Sequence, residues 1–203
     1  MTITLVFCVI IGIVSFMAFN NINLKQKLLF IPYEVKERRE WYRFFTSAFI
    51  HADITHLIVN LIAFYSFGTF VEHRYQLLFA EFGTILYTIF LILSMPVSCL
   101  YTYYKNKNDK NYAALGASGV ASAIVFAFVL FEPYAKINIY FAIPVPAIVF
   151  GILYLIYSNY MSKKGTDNIG HDVHFFGALF GIVFTALISP DTIIGFINKL
   201  FFL

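Results

Sequence analysis

The chain has 203 residues, of which 60% are hydrophobic and only 12% are charged. Soluble domains carry about 25% charged residues, so this composition excludes a soluble globular protein and predicts a membrane protein that crosses the bilayer several times. The net charge of +3 is spread over several loops, without the basic cluster and interleaved aromatic residues of a nucleic-acid surface, and no nucleic-acid partner is expected.

Six long apolar runs are predicted to cross the membrane as helices. A bilayer core about 30 Å thick needs roughly 20 helical residues. The first run lacks a basic start and an Ala-x-Ala cleavage site, so we expect a retained helix and not a cleaved signal. The expected fold class is an all-α polytopic bundle that forms a single domain over residues 1–203. Its predicted spans are residues 3–19, 54–71, 77–103, 116–131, 139–157 and 174–188.

Two segments outside the spans are predicted to lie along the membrane surface. Residues 20–50 mix lysine, arginine and glutamate with leucine, phenylalanine, tyrosine and Trp41. Such a segment is too polar to span and too apolar for a free linker, which favours an interfacial loop. In the tail, residues 191–203, apolar side chains recur at the spacing of an amphipathic helix; they are Ile193, Phe196, Ile197 and Leu200.

Polar side chains inside or beside the spans are the candidates for chemistry. A polar group in hydrocarbon is costly unless it is paired or lines a wet cavity. Seven such groups stand out: His51, His56, Asn60, Ser118, Ser122, His171 and His174.

The fourth and sixth spans combine small residues with a serine and a histidine. The fourth opens with Gly116-Ala117-Ser118-Gly119, and Gly119 and Ala123 form a small stripe. His174, Gly177 and Gly181 share one face of the sixth span. Packing of these two small faces would bring Ser118 to His174. A serine needs a base within hydrogen-bond reach, and a neutral imidazole can supply it. The pattern predicts a nucleophile and a general base.

Further donors could stabilise an oxyanion during acyl transfer. A helix N-terminus offers free backbone N–H groups, including that of Ser118. His56 and Asn60 are spaced i and i+4 near the start of the second span, on one face, and both side chains carry N–H groups. The residues therefore favour acyl transfer at this site.

Other interpretations of the same residues remain. Asp172 is two residues before His174 and would point to another face, while Asp53 lies beside a different histidine pair, which favours a dyad over a triad. Small residues and single polar groups also serve helix packing. Four histidines could instead bind a metal, although carboxylate and thiolate partners are missing and the two cysteines lack CxxC spacing; they are His51, His56, His171 and His174.

Taken together, the motifs resemble the rhomboid intramembrane serine proteases of the compact six-helix bacterial type, over about residues 41–185. The residues that carry the resemblance are Trp41-Tyr42-Arg43, His51, His56, Asn60, Gly116-Ala117-Ser118-Gly119 and His174-x-x-Gly177-x-x-x-Gly181. The resemblance implies that Ser118 is the nucleophile and His174 the base. It assigns the oxyanion hole to His56, Asn60 and the Ser118 amide, and implies no cofactor.

The resemblance also implies roles around the site. His51 matches a supporting position, and Arg43 and Glu72 would brace the interfacial first loop. One departure is clear: four residues after the nucleophile the family often has a tyrosine that packs on the catalytic imidazole, and here this residue is Ser122. Phe126, one turn further on, is a candidate to fill that space.

The sequence thus predicts a protease that cuts membrane-anchored proteins in or near their transmembrane segments. Water would reach Ser118 through a cavity lined by the polar cluster of His51, His56, Asn60 and His171. A catalytically silent protein that binds membrane helices and a histidine-based metal-binding protein are the alternatives. We expect a multi-pass protein of a bacterial inner membrane. Loop charges favour a cytoplasmic first loop, whereas the resemblance implies a site near the outer face.

Overall fold

The computed structural model describes residues 1–139, 142–164 and 170–201, and most of these are helical. The elements follow the chain as α1 (Ile3–Phe19), α2 (Ile22–Leu28), α3 (Pro32–Arg38), α4 (Arg43–Thr46), α5 (Ile54–Phe79), α6 (Gly83–Asn106), α7 (Ser118–Phe131), β1 (Lys136–Ile139), β2 (Ile143–Pro146), α8 (Ala147–Lys164), α9 (His171–Ile188) and α10 (Pro190–Phe201). Short 3₁₀ turns follow α4 and α5.

Helix α7 forms the centre of the bundle. Every residue from Gly119 to Phe131 is buried, as expected for a helix that is apolar on all sides. The surrounding helices instead leave large apolar side chains exposed on their outer faces, such as Ile85 and Ile89 on α6 and Ile152 and Ile156 on α8. These outer faces suit contact with lipid, while the core lies around α7.

The predicted helix positions are close to the observed ones, but several ends were wrong. The first span matches α1, whereas α5 starts at the predicted Ile54 and continues to Phe79. The next helix starts at Gly83 and not at residue 77, because the backbone reverses at Ala80, which has a positive φ of 48°. Helix α9 starts at His171, three residues before the predicted start. Apolar runs mark the lipid-facing part of a helix, not its hydrogen-bonded ends.

The fifth predicted span, residues 139–157, is wrong at its start. Strands β1 and β2 form an antiparallel hairpin with Lys136 opposite Pro146, and α8 begins only at Ala147. Pro144 and Pro146 explain the strand, since proline disfavours helical geometry in the residue before it. The expected all-α class therefore holds for the bundle but not for this hairpin. Residues 140–141 lie outside the described part of the chain.

Among the residues that the structure describes, two helical stretches are long and apolar enough to cross a membrane: Ile54–Asn106, which contains α5 and α6, and His171–Ile188. Helices Ile3–Phe19 and Ser118–Phe131 are apolar but shorter. These lengths support a membrane protein, and the arrangement with six spans stays a prediction.

The two surface segments are largely helical. The first loop contains α2, α3 and α4, and Trp41 is exposed on it. Helix α10 covers the predicted tail except residues 202–203, which lie outside the described residues. It docks on the end of α7, where the Lys199 Nζ donates to the Phe131 carbonyl at 2.6 Å. Its Ile194 and Ile197 are exposed, and its place on the bilayer surface stays a prediction.

Candidate active site

A cavity of about 960 Å³ lies between α5, α7, α8 and α9. Its wall includes the predicted nucleophile Ser118, the predicted base His174, and the predicted oxyanion donors His56 and Asn60. These four residues come from three helices and are up to 118 positions apart in a chain of 203 residues. The fold therefore brings the sequence-predicted centre together in one place.

Close contact between α7 and α9 sets the relative position of Ser118 and His174. A Cβ atom added at Gly177 would overlap the Gly119 carbonyl oxygen, and one added at Gly181 would overlap that of Ala123. From the first contact to the second, the position rises by four residues on α7 and by four on α9. The two helices therefore run parallel in a fixed register. One turn earlier, the same register brings His174 to the level at which α7 begins. The small faces predicted from the sequence do pack together.

The loop before Ser118 is shaped by Gly116. Its φ of +117° lies in a region that residues with a Cβ rarely adopt. A Cβ there would also lie 2.9 Å from the His56 Cε1. The Gly116 N–H donates to the Ser47 carbonyl at 2.9 Å. The loop therefore holds the start of α7 beside His56, and the N–H groups of the first helical turn have no partner within the helix.

His51 supports this loop from behind. The Ala117 N–H donates to the His51 Nε2 at 3.2 Å, so Nε2 carries no proton and Nδ1–H is the donor of the neutral ring. Nδ1 lies 2.9 Å from the Ser15 Oγ, and the Ser15 hydroxyl donates to the Phe49 carbonyl at 2.9 Å. Ser15 and His51 are fully buried. This chain of hydrogen bonds fixes one tautomer of His51.

Ser15 was not found from the sequence. It lies in α1, far from every motif, and a single serine in an apolar run is usually a packing residue. The one feature of the sequence that could have pointed to Ser15 is its hydroxyl inside the first apolar run, because a polar group within the bilayer needs a hydrogen-bond partner.

The two predicted oxyanion donors lie on one face of α5, as expected. The backbone N–H of His56 is capped by the Asp53 carboxylate at 2.8 Å, and its ring meets that of His51 edge-on at a centroid distance of 4.9 Å. The Asn60 Nδ2 donates to the His56 carbonyl, one turn back on the same helix, at 2.9 Å. Both side chains still border the cavity.

His174 lies beside an aromatic ring that the sequence did not identify. The Tyr154 ring of α8 is nearly parallel to the imidazole, with an interplanar angle of 21° and a centroid distance of 6.2 Å. The Tyr154 hydroxyl lies 2.6 Å from the Ser122 Oγ. Phe126, the candidate proposed from the sequence, packs on Tyr154 at 5.8 Å. The ring beside His174 is therefore supplied by α8.

Two of the four polar residues expected to line the cavity do not line it. The lining from α9 and the residue before it consists of Gly170, Val173 and His174, while His171 is buried with its ring 5.5 Å from that of Tyr157. His51 lies behind His56 and Gly116. Neither His51 nor His171 borders the cavity, because residues next to each of them in the sequence form the cavity wall instead.

The acidic residues near the histidines have other partners. Asp172 accepts from Lys105 Nζ at 2.8 Å and from the Ser162 hydroxyl, and Asp53 caps α5. Within residues 1–139, 142–164 and 170–201, no three His, Cys, Asp or Glu side chains come together as metal ligands.

Arg43 is buried among the carbonyls of the first loop. Its Nη1 donates to the Gln26 carbonyl at 3.0 Å and to the Leu29 carbonyl at 2.6 Å, and its Nε donates to Glu40 at 2.6 Å. Partial burial acts to raise the pKa of Glu40, but the hydrogen bond and charge of Arg43 outweigh it and hold that pKa below its ordinary value. Arg43 thus ties α2 to α4.

Glu72 does not brace the first loop, and that expectation was wrong. Its carboxylate accepts from the backbone N–H groups of Ile3 and Thr4 at 2.8 and 2.9 Å, and from the Thr4 hydroxyl at 2.7 Å. Glu72 therefore caps α1 at the opposite end of the bundle from Arg43, where the free N–H groups of a helix start favour a carboxylate.

Comparison with known proteins agrees with this architecture. The Rhomboid domain family model matches residues 38–191. The chain is also 30% identical over 141 residues to RHOMBOID-like protein 12, mitochondrial, of Arabidopsis thaliana, and the aligned segment covers 66% of this chain and 42% of that protein. The chain thus spans less than half the length of this curated relative. Because the family match extends over most of the chain, from the end of α3 to the start of α10, the protein belongs to the rhomboid family of integral membrane proteins.

Proposed function

We propose that this protein is an intramembrane serine endopeptidase that hydrolyses peptide bonds in or near the transmembrane segments of membrane-anchored proteins. The observation that carries the proposal is that Ser118, His174, His56 and Asn60 border one cavity. Rhomboid proteins act on membrane proteins within the bilayer, so family membership supports the same class of substrate. No cofactor takes part in the proposed reaction.

In the proposed reaction the Ser118 Oγ attacks the scissile carbonyl carbon while His174 accepts the hydroxyl proton. The resulting oxyanion would accept hydrogen bonds from the Ser118 N–H and from the side chains of His56 and Asn60. His174 then gives the proton to the leaving amine, and the peptide bond breaks. A water attacks the acyl-enzyme, passes a proton through His174 back to Ser118, and releases the carboxylic acid product.

The shape of the cavity supports a substrate that arrives from the bilayer. One end is polar, where Lys25 and Asp53 border it near the first loop, which supports access of water to the site from this side. The other end is apolar and is bordered by Phe67, Phe126 and Phe150 from α5, α7 and α8. A helical substrate would have to unwind to expose its peptide bond, which favours substrates with glycine or proline near the cut.

The location of the reaction follows from the same proposal. The resemblance to the compact six-helix bacterial type supports a multi-pass protein in a bacterial inner membrane. The Arabidopsis thaliana relative carries the word mitochondrial in its name. That location is said of the relative alone.

The test is cleavage of a fluorescent transmembrane reporter by the purified full chain in liposomes. Ser118→Ala and His174→Ala are each expected to lower kcat by about 10⁴-fold or more. Ser66→Ala, which changes an exposed serine of α5, should cleave like the native protein. A serine-directed fluorophosphonate should label the native chain and not the Ser118→Ala variant.

Two results would contradict the proposal. Full activity of Ser118→Ala would exclude this serine as the nucleophile. A native protein that neither cuts the reporter nor reacts with the fluorophosphonate, but co-purifies with the reporter helix, would instead be a silent rhomboid-like protein that binds membrane helices.

A further inference from the structure

We infer that Tyr154 of α8, held by Ser122 of α7, is the positioning residue for the His174 imidazole. The inference rests on the proposed function, because it concerns the residue proposed as general base. It assigns a catalytic contribution to α8, which carries none of the sequence motifs that mark the site.

The first observation is the geometry of the two rings. The planes of Tyr154 and His174 differ by 21°, and their centroids are 6.2 Å apart, which is within the range of offset aromatic pairs. A general base works only when its nitrogen points at the proton it accepts. A nearly parallel ring on one side restricts rotation of the imidazole away from Ser118.

The second observation is that Tyr154 is itself fixed in place. Its hydroxyl lies 2.6 Å from the Ser122 Oγ, and Ser122 is buried. Its ring packs against Phe126 at 5.8 Å and Phe150 at 5.7 Å. The tyrosine cannot turn away from His174 without losing the hydrogen bond and both aromatic contacts.

The third observation is the position of Ser122 on α7. It lies one helical turn after Ser118, so the helix that carries the proposed nucleophile also anchors the ring beside the proposed base. A larger side chain at this position would occupy the space of the Tyr154 hydroxyl. The small serine therefore does two things: it leaves room for a ring from α8, and it provides the hydrogen-bond partner that orients that ring.

The experiment measures kcat and KM separately for reporter cleavage, together with the rate of fluorophosphonate labelling. Tyr154→Leu removes the ring and is expected to lower kcat and the labelling rate by about 10- to 100-fold, with KM changed less than about threefold. Tyr154→Phe keeps the ring and should lower kcat only about threefold. Tyr160→Leu makes the same change at an exposed position of α8 and should leave both constants at their native values.

A double-mutant cycle tests the hydrogen bond between α7 and α8. Ser122→Ala and Tyr154→Phe each remove one partner of the same bond, so the double variant should be no slower than the slower single variant. Additive losses of kcat would overturn the inference. Because both substitutions are small, the double-mutant cycle still tests the role of Tyr154 if the Tyr154→Leu variant does not fold.

A rescue variant separates positioning from a general structural role. Ser122→Tyr should recover part of the lost kcat in the Tyr154→Leu background, because it returns a ring to the same space from α7. In the native background the same change should lower activity, since two tyrosines would compete for that space. A folded Tyr154→Leu protein with native kcat would overturn the positioning role.

The failure of this inference is distinguishable from failure of the proposed function. If Ser118→Ala is inactive while Tyr154→Leu cleaves normally, the protease proposal stands and the role of Tyr154 is wrong. If the native chain neither cleaves the reporter nor reacts with the fluorophosphonate, both the protease proposal and the role of Tyr154 are contradicted.

Discussion

Gly177 of α9 lies so close to the carbonyl oxygen of Gly119 in α7 that a side chain at position 177 would overlap it. A Cβ at Gly119 would in turn lie 2.6 Å from the Ser98 Oγ and 2.7 Å from a methyl group of Val173. Three helices therefore meet at Gly119, one residue after the proposed nucleophile. The separation of Ser118 and His174 depends on this contact.

Gly177→Ala should consequently impair both stability and activity. The added methyl group forces α7 and α9 apart, and overpacking of this kind costs about 1–3 kcal/mol. We expect a lower midpoint of thermal unfolding in detergent and a loss of reporter cleavage larger than the loss of folded protein. Gly195→Ala is the matched control, since a Cβ there has no neighbour within 4 Å. Native cleavage by a folded Gly177→Ala protein would show that the backbone contact does not set the site.

Ser15→Ala should weaken the site, although Ser15 lies outside residues 38–191, the segment that matches the family model. The change leaves the Nδ1–H of the buried His51 without its Ser15 partner, and an unsatisfied buried donor costs about 1–3 kcal/mol. The free ring can then take the other tautomer, in which Nε2 no longer accepts from Ala117. We expect lower thermal stability and slower cleavage with an intact Ser118.

The control for Ser15→Ala is Ser66→Ala, at an exposed serine of another apolar helix. Ser15→Thr keeps the hydroxyl and should retain more activity than Ser15→Ala if the methyl group fits. Equal stability and activity of Ser15→Ala and the native protein would mean that His51 does not depend on Ser15.

Arg43→Met should loosen the first loop. Methionine keeps much of the side-chain volume but leaves two loop carbonyls and Glu40 without their donor. A buried acceptor that loses its hydrogen bond costs about 1–3 kcal/mol. We expect faster proteolysis within residues 20–50 and a lower unfolding midpoint. Arg38→Met is the control, because Arg38 is 70% exposed in its pair with Glu34 and such pairs contribute less than about 1 kcal/mol. Equal proteolysis of both variants would contradict a bracing role for Arg43.

Much of the bundle could be predicted because apolar runs and small-residue faces are local features of the sequence. The first helix and the facing of α7 and α9 follow from such patterns. The hairpin of β1 and β2 was missed because its isoleucines and valine look like part of a membrane span, while the geometry of Pro144 and Pro146 decides the backbone.

The residues that support the site were harder to predict than its centre. Ser118 and His174 stand in recognisable motifs, whereas Ser15 and Tyr154 act through contacts between helices that are distant in the sequence. Glu72 shows the same limit: its partner, the free start of α1, has no sequence signature, and only the packing of α1 on α5 brings the two together.

The last prediction concerns pH and the pair of Glu40 with Arg43. Since the pKa of Glu40 is lowered in the folded protein, the pair contributes its full stability above the ordinary pKa of a glutamate. That contribution is lost as the pH falls through the lowered value, where the carboxylate becomes protonated. The unfolding midpoint of the native protein should therefore exceed that of Glu40→Gln at neutral pH, and the gap should close in acid. Glu37→Gln, at an exposed carboxylate paired with Lys36, should show little gap at any pH. A gap between the native protein and Glu40→Gln that stays constant into strong acid would mean that the contribution of Glu40 comes from its shape and not from its charge.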